Sequence, residues 1–377
     1  MMVYCNIRYR YFVLVFFLIA TIVMTTPTYA DDFWTWDEED EDIQVEEIDE
    51  IPSYWMEELE QGAKEINLAL QEAGSNKSAF LFYSDSHWTY NSQRSPMLLK
   101  YLYQHTGMTK TIFGGDIVMM ESSDYDTMAY LWEWRSMLKD LPNHHSVVGN
   151  HDDGNTTNHL FDDNYVYGFL LAAEETPDIV RGDAGFYYYI DVPSEKTRYL
   201  YLDTANNTIL YDAIQVQFLV DALMGTPDGW HIVVAAHQWY YPDYSQNPPV
   251  GATRAYESEL VLGILDDYNA RKSDYVRVHP NATDSNNTKI IYDFTDCHAK
   301  VEFCVGGHTH CDFDGSSDNG IPVILVETDS YDVRSGLELV IGSTSESSVN
   351  GIIADYEAKK VTIVRIGRGE NRVVPLN

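Results

Sequence analysis

The sequence predicts an α/β domain in which short buried strands alternate with helices. Apolar residues make up 45% of the 377 residues and aromatic residues 13%, which is ample material for a core. From Ser78 onward, apolar runs alternate with helical patterns in units of about 30 residues, which favours parallel strand pairs with right-handed crossovers. Several of these runs end directly on a polar side chain, as is typical of ligand-binding strand ends in α/β sheets.

The first thirty residues (1–30) are predicted to be a secretory signal peptide. Arg8 and Arg10 precede an apolar run over 11–24, and Thr28-Tyr29-Ala30 places small residues near a cleavage point. The run is shorter than the roughly 20 residues that a membrane span needs. Secretion with no stable membrane association after cleavage is therefore favoured, and a membrane anchor formed by an uncleaved segment is the alternative.

Residues 31–53 follow as an acidic run with few aliphatic side chains, which predicts a disordered spacer. From residue 54, the stretch WMEELEQGAKEINLALQEAG has helical periodicity and ends on Gly74. No repeat and no second linker is visible afterwards, so we expect one domain over 54–377.

The charge of the chain argues against one class of partner. The formal net charge is -35, whereas nucleic-acid affinity comes mainly from Lys and Arg that displace counterions. We therefore expect no nucleic-acid partner, and a nuclease conflicts with the charge. Acidity of this size suits solubility in an extracellular medium.

Cysteine usage leaves the disulfide pattern open. Cys5 lies in the predicted signal peptide, and Cys297, Cys304 and Cys311 remain. An odd number allows at most one disulfide. Cys304 lies in an apolar strand pattern and is expected to be a buried small hydrophobe. A Cys297–Cys311 bridge would close a loop of about 15 residues, worth about 3 kcal/mol.

Five predicted strands end on polar residues. AFLFY leads to Asp85-Ser86-His87, TKTIF to Gly114-Gly115-Asp116, HSVV to Gly149-Asn150-His151, HIVVAA to His237, and VEFCV to Gly306-Gly307-His308-Thr309-His310. The other predicted elements are a hairpin of GFYYYIDV and TRYLYLDT, a helix through Gln215, a strand PVILVET and a closing hairpin across Glu357-Ala358.

These polar residues form a candidate metal-ligand set. In an extended chain residues i and i+2 point to the same side, so Asp85 and His87 can bind one ion together, and His308 and His310 repeat the pattern. Asp116 has two oxygens with which to bridge two cations. With Asn150 and His237, the set offers nitrogen and oxygen donors for two ions and suits Zn, Fe or Mn.

The order of these motifs resembles that of the calcineurin-like metallophosphoesterase superfamily. The matching motifs are Asp85-Ser86-His87, Gly115-Asp116, Gly149-Asn150-His151-Asp152, His237 and Gly307-His308-Thr309-His310. The resemblance implies a four-layer α/β/β/α sandwich of two mixed sheets flanked by helices. It also implies that Asp85, His87 and His310 hold a first metal, that Asn150, His237 and His308 hold a second, and that Asp116 bridges them.

The resemblance further implies hydrolysis of a phosphate ester, as a phosphomonoesterase or a phosphodiesterase, with a small phosphorylated molecule as the substrate. Two cations activate a shared water as the nucleophile. His151 matches the catalytic histidine and would protonate the leaving group or stabilise charge, while Asp152 would orient its neighbours. The alternative is a secreted, non-catalytic protein that keeps its metals for structure.

Some residues distinguish this chain from relatives. Purple acid phosphatases carry a tyrosine ligand where this sequence has Met119, so the iron–tyrosinate centre of those enzymes is not expected. The segment 215–219 resembles a Q-x-x-W-L helix segment of bacterial-type members. The aromatic residues of 239–244, like Trp88, either stack on a substrate or form packed structure. We expect specificity to lie in the loops 238–256 and 272–298.

Overall fold

The alternating apolar runs form two mixed β-sheets. A computed structural model describes residues 50–88, 91–118, 124–138, 140–152, 178–182, 186–204, 211–242, 252–254, 257–278, 288–330, 333 and 335–377. The predicted signal peptide, nearly all of the predicted spacer and Met119 lie outside these residues. The described ranges belong to one compact unit, Asp49–Asn377. Within them, no helix has the length and apolar character needed to cross a membrane.

The described helices and strands follow the predicted alternation. After a 3-10 turn at Ser53–Trp55, the α-helices are α1 Met56–Glu72, α2 Ser95–His105, α3 Asp124–Leu138, α4 Ala213–Met224 and α5 Ser258–Asn269. The strands are β1 Lys77–Tyr83, β2 Thr111–Phe113, β3 His144–Ser146, β4 Ile179–Arg181, β5 Tyr188–Val192, β6 Thr197–Tyr201, β7 His231–Ala235, β8 Tyr240–Pro242, β9 Ala252–Arg254, β10 Ser273–Val278, β11 Thr288–Asp293, β12 Lys300–Gly306, β13 Phe313–Ser316, β14 Pro322–Leu325, β15 Ser348–Asp355, β16 Lys360–Gly367 and β17 Arg372–Pro375.

The first sheet has the strand order β17-β16-β15-β1-β2-β3. Strands β1, β2 and β3 are parallel, so their carboxyl ends meet at one edge of the sheet. The predicted closing hairpin is present as the antiparallel pair β15–β16, which in turn adds β15 antiparallel to β1. Six of the seven residues of β1 are buried, which explains its unbroken apolar run.

The second sheet has the order β13-β14-β12-β7-β6-β5-β4. Its central strands β6, β7, β12 and β14 are parallel. The predicted hairpin is present as the antiparallel pair β5–β6, with Tyr188 opposite Tyr201. The carboxyl ends of β7 and β12 therefore lie side by side, and they carry the predicted histidines.

Side chains along the strands of the second sheet point alternately to its two faces and so contribute to two hydrophobic cores. Tyr199 and Phe303 point into a core shared with the first sheet, where their rings lie 5.9 and 6.4 Å from the ring of Phe80. Their neighbours Leu200 and Cys304 belong to a second core formed with α4 and α5. Helices α1 and α2 pack on the first core, so the predicted four-layer α/β/β/α architecture is confirmed.

The structure adds two details of local structure. No disulfide joins Cys297, Cys304 and Cys311, so the Cys297–Cys311 bridge that the sequence left open is not formed. The segment 272–298 is not a plain loop, because β10 and β11 pair antiparallel within it. Residues 290–293 of β11 alternate between buried and exposed, as in a sheet with one solvated face, and the sequence signal for this strand is the short apolar run Ile290-Ile291-Tyr292.

Candidate metal centre

Six of the predicted ligand residues come together in two triads. Their side-chain donor atoms lie within 4.8 Å of one another in each triad; the first contains Asp85, His87 and His310, and the second contains Asp116, His237 and His308. These are the residues that the resemblance assigns to two different ions, and their role as ligands stays a prediction. The structure unites them because they follow β1, β2, β7 and β12, whose carboxyl ends share one edge of the two-sheet assembly.

The backbone at this edge is not extended. Asp85, His87, Asp116, His308 and His310 have φ of 55°, 45°, 60°, 68° and 53°, in the left-handed region that side chains other than glycine rarely adopt. Asp85 and His87 come together as expected, although not through an extended backbone. His308 and His310 in fact belong to different triads. Such conformations cost about 1–3 kcal/mol each and persist where neighbouring structure imposes them.

Glycines make room for these turns. A Cβ at Gly307 would collide with Ser84 Oγ and with the carboxylate of Asp85. A Cβ at Gly149 would collide with the carboxylate and the backbone N–H of Asp116. The glycines of both motifs thus allow backbone to approach the predicted ligands directly.

In the first triad, two imidazole nitrogens lie within hydrogen-bond distance of each other. His87 Nε2 lies 3.1 Å from His310 Nε2, and His310 Nε2 lies 3.2 Å from Asp85 Oδ1. His87 Nδ1 lies 3.3 Å from the carbonyl of Val118, to which it is placed to donate. That bond leaves the lone pair of His87 on Nε2. Two nitrogen donors and one carboxylate oxygen at this spacing fit a bound transition-metal ion.

The second triad is built around His237, which is fully buried. Its Nδ1 donates to the carbonyl of Gly114 at 2.7 Å, which points Nε2 into the site. Nε2 lies 3.0 Å from Asp116 Oδ2 but makes no aligned hydrogen bond with any described residue. It also lies 3.8 Å from Asp85 Oδ1, so the two triads adjoin at Asp85. A buried nitrogen so placed fits a ligand to an ion shared with Asp116.

Asn150 lies beside the second triad. Its neighbours both touch Asp116, because His151 N donates to Asp116 Oδ1 at 2.9 Å and Gly149 packs on the same carboxylate. The amide oxygen of Asn150 is buried and accepts no hydrogen bond from any described residue. An orphaned oxygen of this kind costs free energy unless it is bound, and a cation satisfies it.

His151 stands at the rim of the site. Its side chain is 25% exposed, and Nε2 lies 3.9 Å from Asp116 Oδ2. Its ring meets that of His87 edge-on, with 5.0 Å between centroids. The imidazole therefore reaches both triads while staying open to solvent, which is the placement that a proton donor to a substrate needs.

Asp152 links the loop that carries Asp116 to the loop that carries Asn150. Its buried carboxylate accepts from Asp116 N at 2.9 Å, Ile117 N at 2.7 Å and Gly149 N at 2.9 Å. The loops that carry Asp116 and Asn150 are thereby held in register. Burial, followed by the nearby Asp116 carboxylate, raises the pKa of Asp152 to about 7.

His87, His308 and Asp85 have the protonation states that metal binding needs, whereas His237 does not. Burial, followed by His310, lowers the pKa of His87 to about 4, and burial, followed by His237, lowers the pKa of His308 to about 3. Both imidazoles are therefore neutral at pH 7. Burial opposes the ionisation of Asp85, but His237 and His310 hold the pKa of that carboxyl well below its usual range. Burial likewise favours neutral His237, yet Asp116 and Asp85 raise its pKa to about 9.

The aromatic residues near the site form packed structure where they are described. Trp239 is fully buried, and its indole donates to the carbonyl of Val305 at 3.0 Å. Trp88 is 4% exposed and donates to Glu133 at 2.7 Å. The packed alternative therefore holds for both. Gln215, in the predicted helix segment, bonds the backbone N–H and carbonyl of Asp203 and so fixes the loop after β6.

Sequence reasoning missed the segment after β14. Thr328 donates from Oγ1 to the carbonyl of Asp85 at 2.9 Å, and Asp329 N donates to the carbonyl of Ser84 at 3.0 Å. The rule that found the other site residues, polar side chains directly after an apolar strand, also applies to PVILVETDS. The signal was present but belonged to no recognised motif.

A solved structure with the same architecture supports the fold assignment. The chain is similar to a dimetal phosphatase from Danio rerio, with 14% sequence identity, 79% of this chain and 99% of that chain covered, and a TM-score of 0.53. The chain has the calcineurin-like metallophosphoesterase fold. At this identity, the likeness establishes the fold alone.

Two further solved structures are similar to this chain at lower TM-scores. One is the Haemophilus influenzae NAD nucleotidase, with 13% identity, 80% of this chain and 50% of that chain covered, and a TM-score of 0.39. The other is a purple acid phosphatase from yellow lupin (Lupinus luteus) seeds, with 11% identity, 80% and 54% covered, and a TM-score of 0.45. No argument rests on either. The sequence matches no protein-family model and no curated protein.

Proposed function

We propose that this calcineurin-like chain is a binuclear metal-dependent phosphoester hydrolase, acting as a phosphomonoesterase or a phosphodiesterase on a small phosphorylated molecule. The observation that carries the proposal is the pair of buried nitrogen–oxygen triads that adjoin at Asp85, with His151 at their rim. Asp85, His87 and His310 would hold one ion. Asn150, His237 and His308 would hold the other, and Asp116 would bridge the two. Zn, Fe or Mn fits these donors.

Two such ions, when bound, supply Lewis acidity that activates water and neutralises charge on a phosphoryl group. The residues of the chain orient the ligands, support their loops and supply a proton donor. The carbonyls of Gly114 and Val118 accept from Nδ1 of His237 and His87, so in each ring Nε2 is the nitrogen that faces the site. Asp152 holds the Asp116 loop in place. His151, partly exposed, would donate a proton from its imidazole to the leaving oxygen.

Turnover before and after chelation tests the proposal. The purified protein would be stripped of metal, reloaded with Zn, Mn or Fe, and assayed on an aryl phosphate monoester and diester. We expect activity to vanish on chelation and to return with metal. Asp116→Asn should lose nearly all activity. His151→Ala should retain two ions per chain while kcat falls by about 10²–10⁴, the usual contribution of a general acid.

A matched control is His105→Ala. His105 is exposed at the end of α2, where its ring bonds the carbonyl of Tyr101, so its removal should leave the rate unchanged. Protein that binds two ions but hydrolyses neither ester would point to the non-catalytic alternative. Activity that survives both chelation and Asp116→Asn would overturn the proposal.

We also propose that the protein is secreted after removal of residues 1–30. The support is the basic flank, short apolar run and small residues of that segment. Mass spectrometry of the protein recovered from the culture medium tests this. A mature N-terminus near residue 31 is expected, whereas intact residues 1–30 in the membrane fraction would favour the anchor.

A further inference from the structure

The turn that carries Asp85 and His87 is supported from the opposite side by the chain that follows β14. Thr328 and Asp329 are both fully buried. Asp329 N and the hydroxyl of Thr328 donate to the carbonyls of Ser84 and Asp85, at 3.0 and 2.9 Å. These are the carbonyls at the point where the chain leaves β1 and turns into the left-handed conformation.

The proton of the Thr328 hydroxyl is committed to this contact. The hydroxyl donates to Asp85 O, which can only accept, while Thr328 Oγ1 accepts from Ser330 N at 3.1 Å and lies 3.1 Å from Ser330 Oγ. Valine has nearly the same shape without the hydroxyl. Thr328→Val would therefore leave the buried carbonyl of Asp85 without this donor.

The carboxylate of Asp329 anchors the middle residue of the same turn. It accepts from Ser95 Oγ and Ser347 Oγ, each at 2.5 Å, and from Ser348 N at 3.2 Å. Ser86 Oγ, between Asp85 and His87, lies 3.4 Å from the same carboxylate. The turn is thus tied to α2 and to the start of β15.

Arg368, near the end of the chain, holds the segment itself. Its guanidinium donates to the carbonyls of Thr328 at 2.5 Å and Ser330 at 3.1 Å, and to that of Ser345 at 2.8 Å. It is 3% exposed and pairs with the buried carboxylate of Glu327 at 3.4 Å. A planar group with several fixed donors fits this multiple contact, which a lysine does not reproduce.

We propose that Thr328, Asp329 and Arg368 are positioning residues that hold Asp85 and His87 in the geometry of the first triad. The inference rests on the proposed function only in treating the two triads as ion sites. Left-handed residues persist where surrounding structure imposes them. Thr328 and Asp329 bond to that turn, and Arg368 holds the segment that carries them. None of the three lies in a recognised motif. The second triad is supported separately, by the carbonyl of Gly114 and by Asp152. Substitutions of the three positioning residues should therefore weaken metal binding at the first triad more than at the second.

Titration of metal-free protein with Co²⁺, followed by visible absorbance and calorimetry, tests this. His310→Ala and His308→Ala identify the binding steps of the first and the second triad. Thr328→Val should weaken the first step by about 10–100-fold, the usual effect of removing a group that orients a ligand, and should change the second step less. Thr328→Ser restores the hydroxyl and should bind both ions as the wild type does.

Thr226→Val is the control, because Thr226 is buried just after α4 and its hydroxyl donates to the carbonyl of Ala222 in that helix. Arg368→Lys keeps the charge and should also weaken metal binding at the first triad more than at the second. This variant tests the inference if Thr328→Val does not fold. Equal weakening of both steps, or none, overturns the inference, as does a wild type that binds fewer than two ions. Two ions bound without hydrolysis would overturn the proposed function alone.

Discussion

Asp152→Asn is the substitution that best tests how the loops behind the centre are held. The wild-type carboxylate satisfies three buried backbone N–H groups, with Oδ2 accepting from Asp116 and Gly149 and Oδ1 accepting from Ile117. Asparagine has the same shape but only one acceptor oxygen. In its best orientation the oxygen still serves Asp116 and Gly149, and the amide NH₂ then faces the N–H of Ile117.

The expected loss of stability follows from the one backbone N–H group that loses its acceptor. One buried N–H left without an acceptor costs about 1–3 kcal/mol, so we expect the free energy of unfolding to fall by about 2 kcal/mol. With a denaturant slope of about 3 kcal/mol per M for a domain of this size, the urea midpoint should fall by about 0.7 M. Metal affinity should fall by about 10–100-fold, because the loops of Asp116 and Asn150 lose their common tie.

Urea titration followed by tryptophan fluorescence measures the first effect, and calorimetric metal titration measures the second. Asp221→Asn is a suitable control, since the exposed Asp221 side chain on α4 accepts from Gln217, and the change in the free energy of unfolding should stay within about 0.5 kcal/mol. The reasoning is refuted if Asp152→Asn unfolds at the wild-type midpoint and binds metal with wild-type affinity.

Three other expectations follow from the structure. Phe80→Ala removes the ring that stacks on Phe303 between the sheets, so urea unfolding should show a loss of about 3–5 kcal/mol with two ions still bound. Gly307→Ala drives a Cβ into the Asp85 carboxylate; stability should fall by about 1–3 kcal/mol, and calorimetry should show weaker metal binding. With its pKa raised to about 9, His237 is protonated at pH 7 and must lose that proton to bind an ion. Apparent affinity should therefore rise towards pH 9, and calorimetry in buffers of different ionisation enthalpy should show about one proton released; affinity and proton release that are independent of pH would contradict this.

Much of the fold was predictable because it depends on local periodicity. The runs AFLFY, TKTIF and HIVVAA each formed a buried strand, and both predicted hairpins are present. Period-2 alternation and short apolar runs report burial directly. The hairpin β10–β11 was missed although TKIIYD carries the same signal, because it lay in a segment interpreted only as a loop.

The sequence by itself selected the candidate side chains of the centre. Polar residues directly after buried parallel strands must lie at one sheet edge, and this rule selected Asp85, Asp116, Asn150, His237 and the His308–His310 pair. The resemblance implied the division into two ion sites, and only the tertiary structure shows the backbone that carries them. Asp85 and His87 share one triad and His308 and His310 lie in different triads, although all four backbones are left-handed, a conformation that no pattern of extended chain contains. Thr328 and Arg368 lie more than 240 positions from Asp85 in the sequence. Hydrogen bonds between strand ends so far apart leave no periodic pattern, so their support of the Asp85 turn could not be predicted from the sequence.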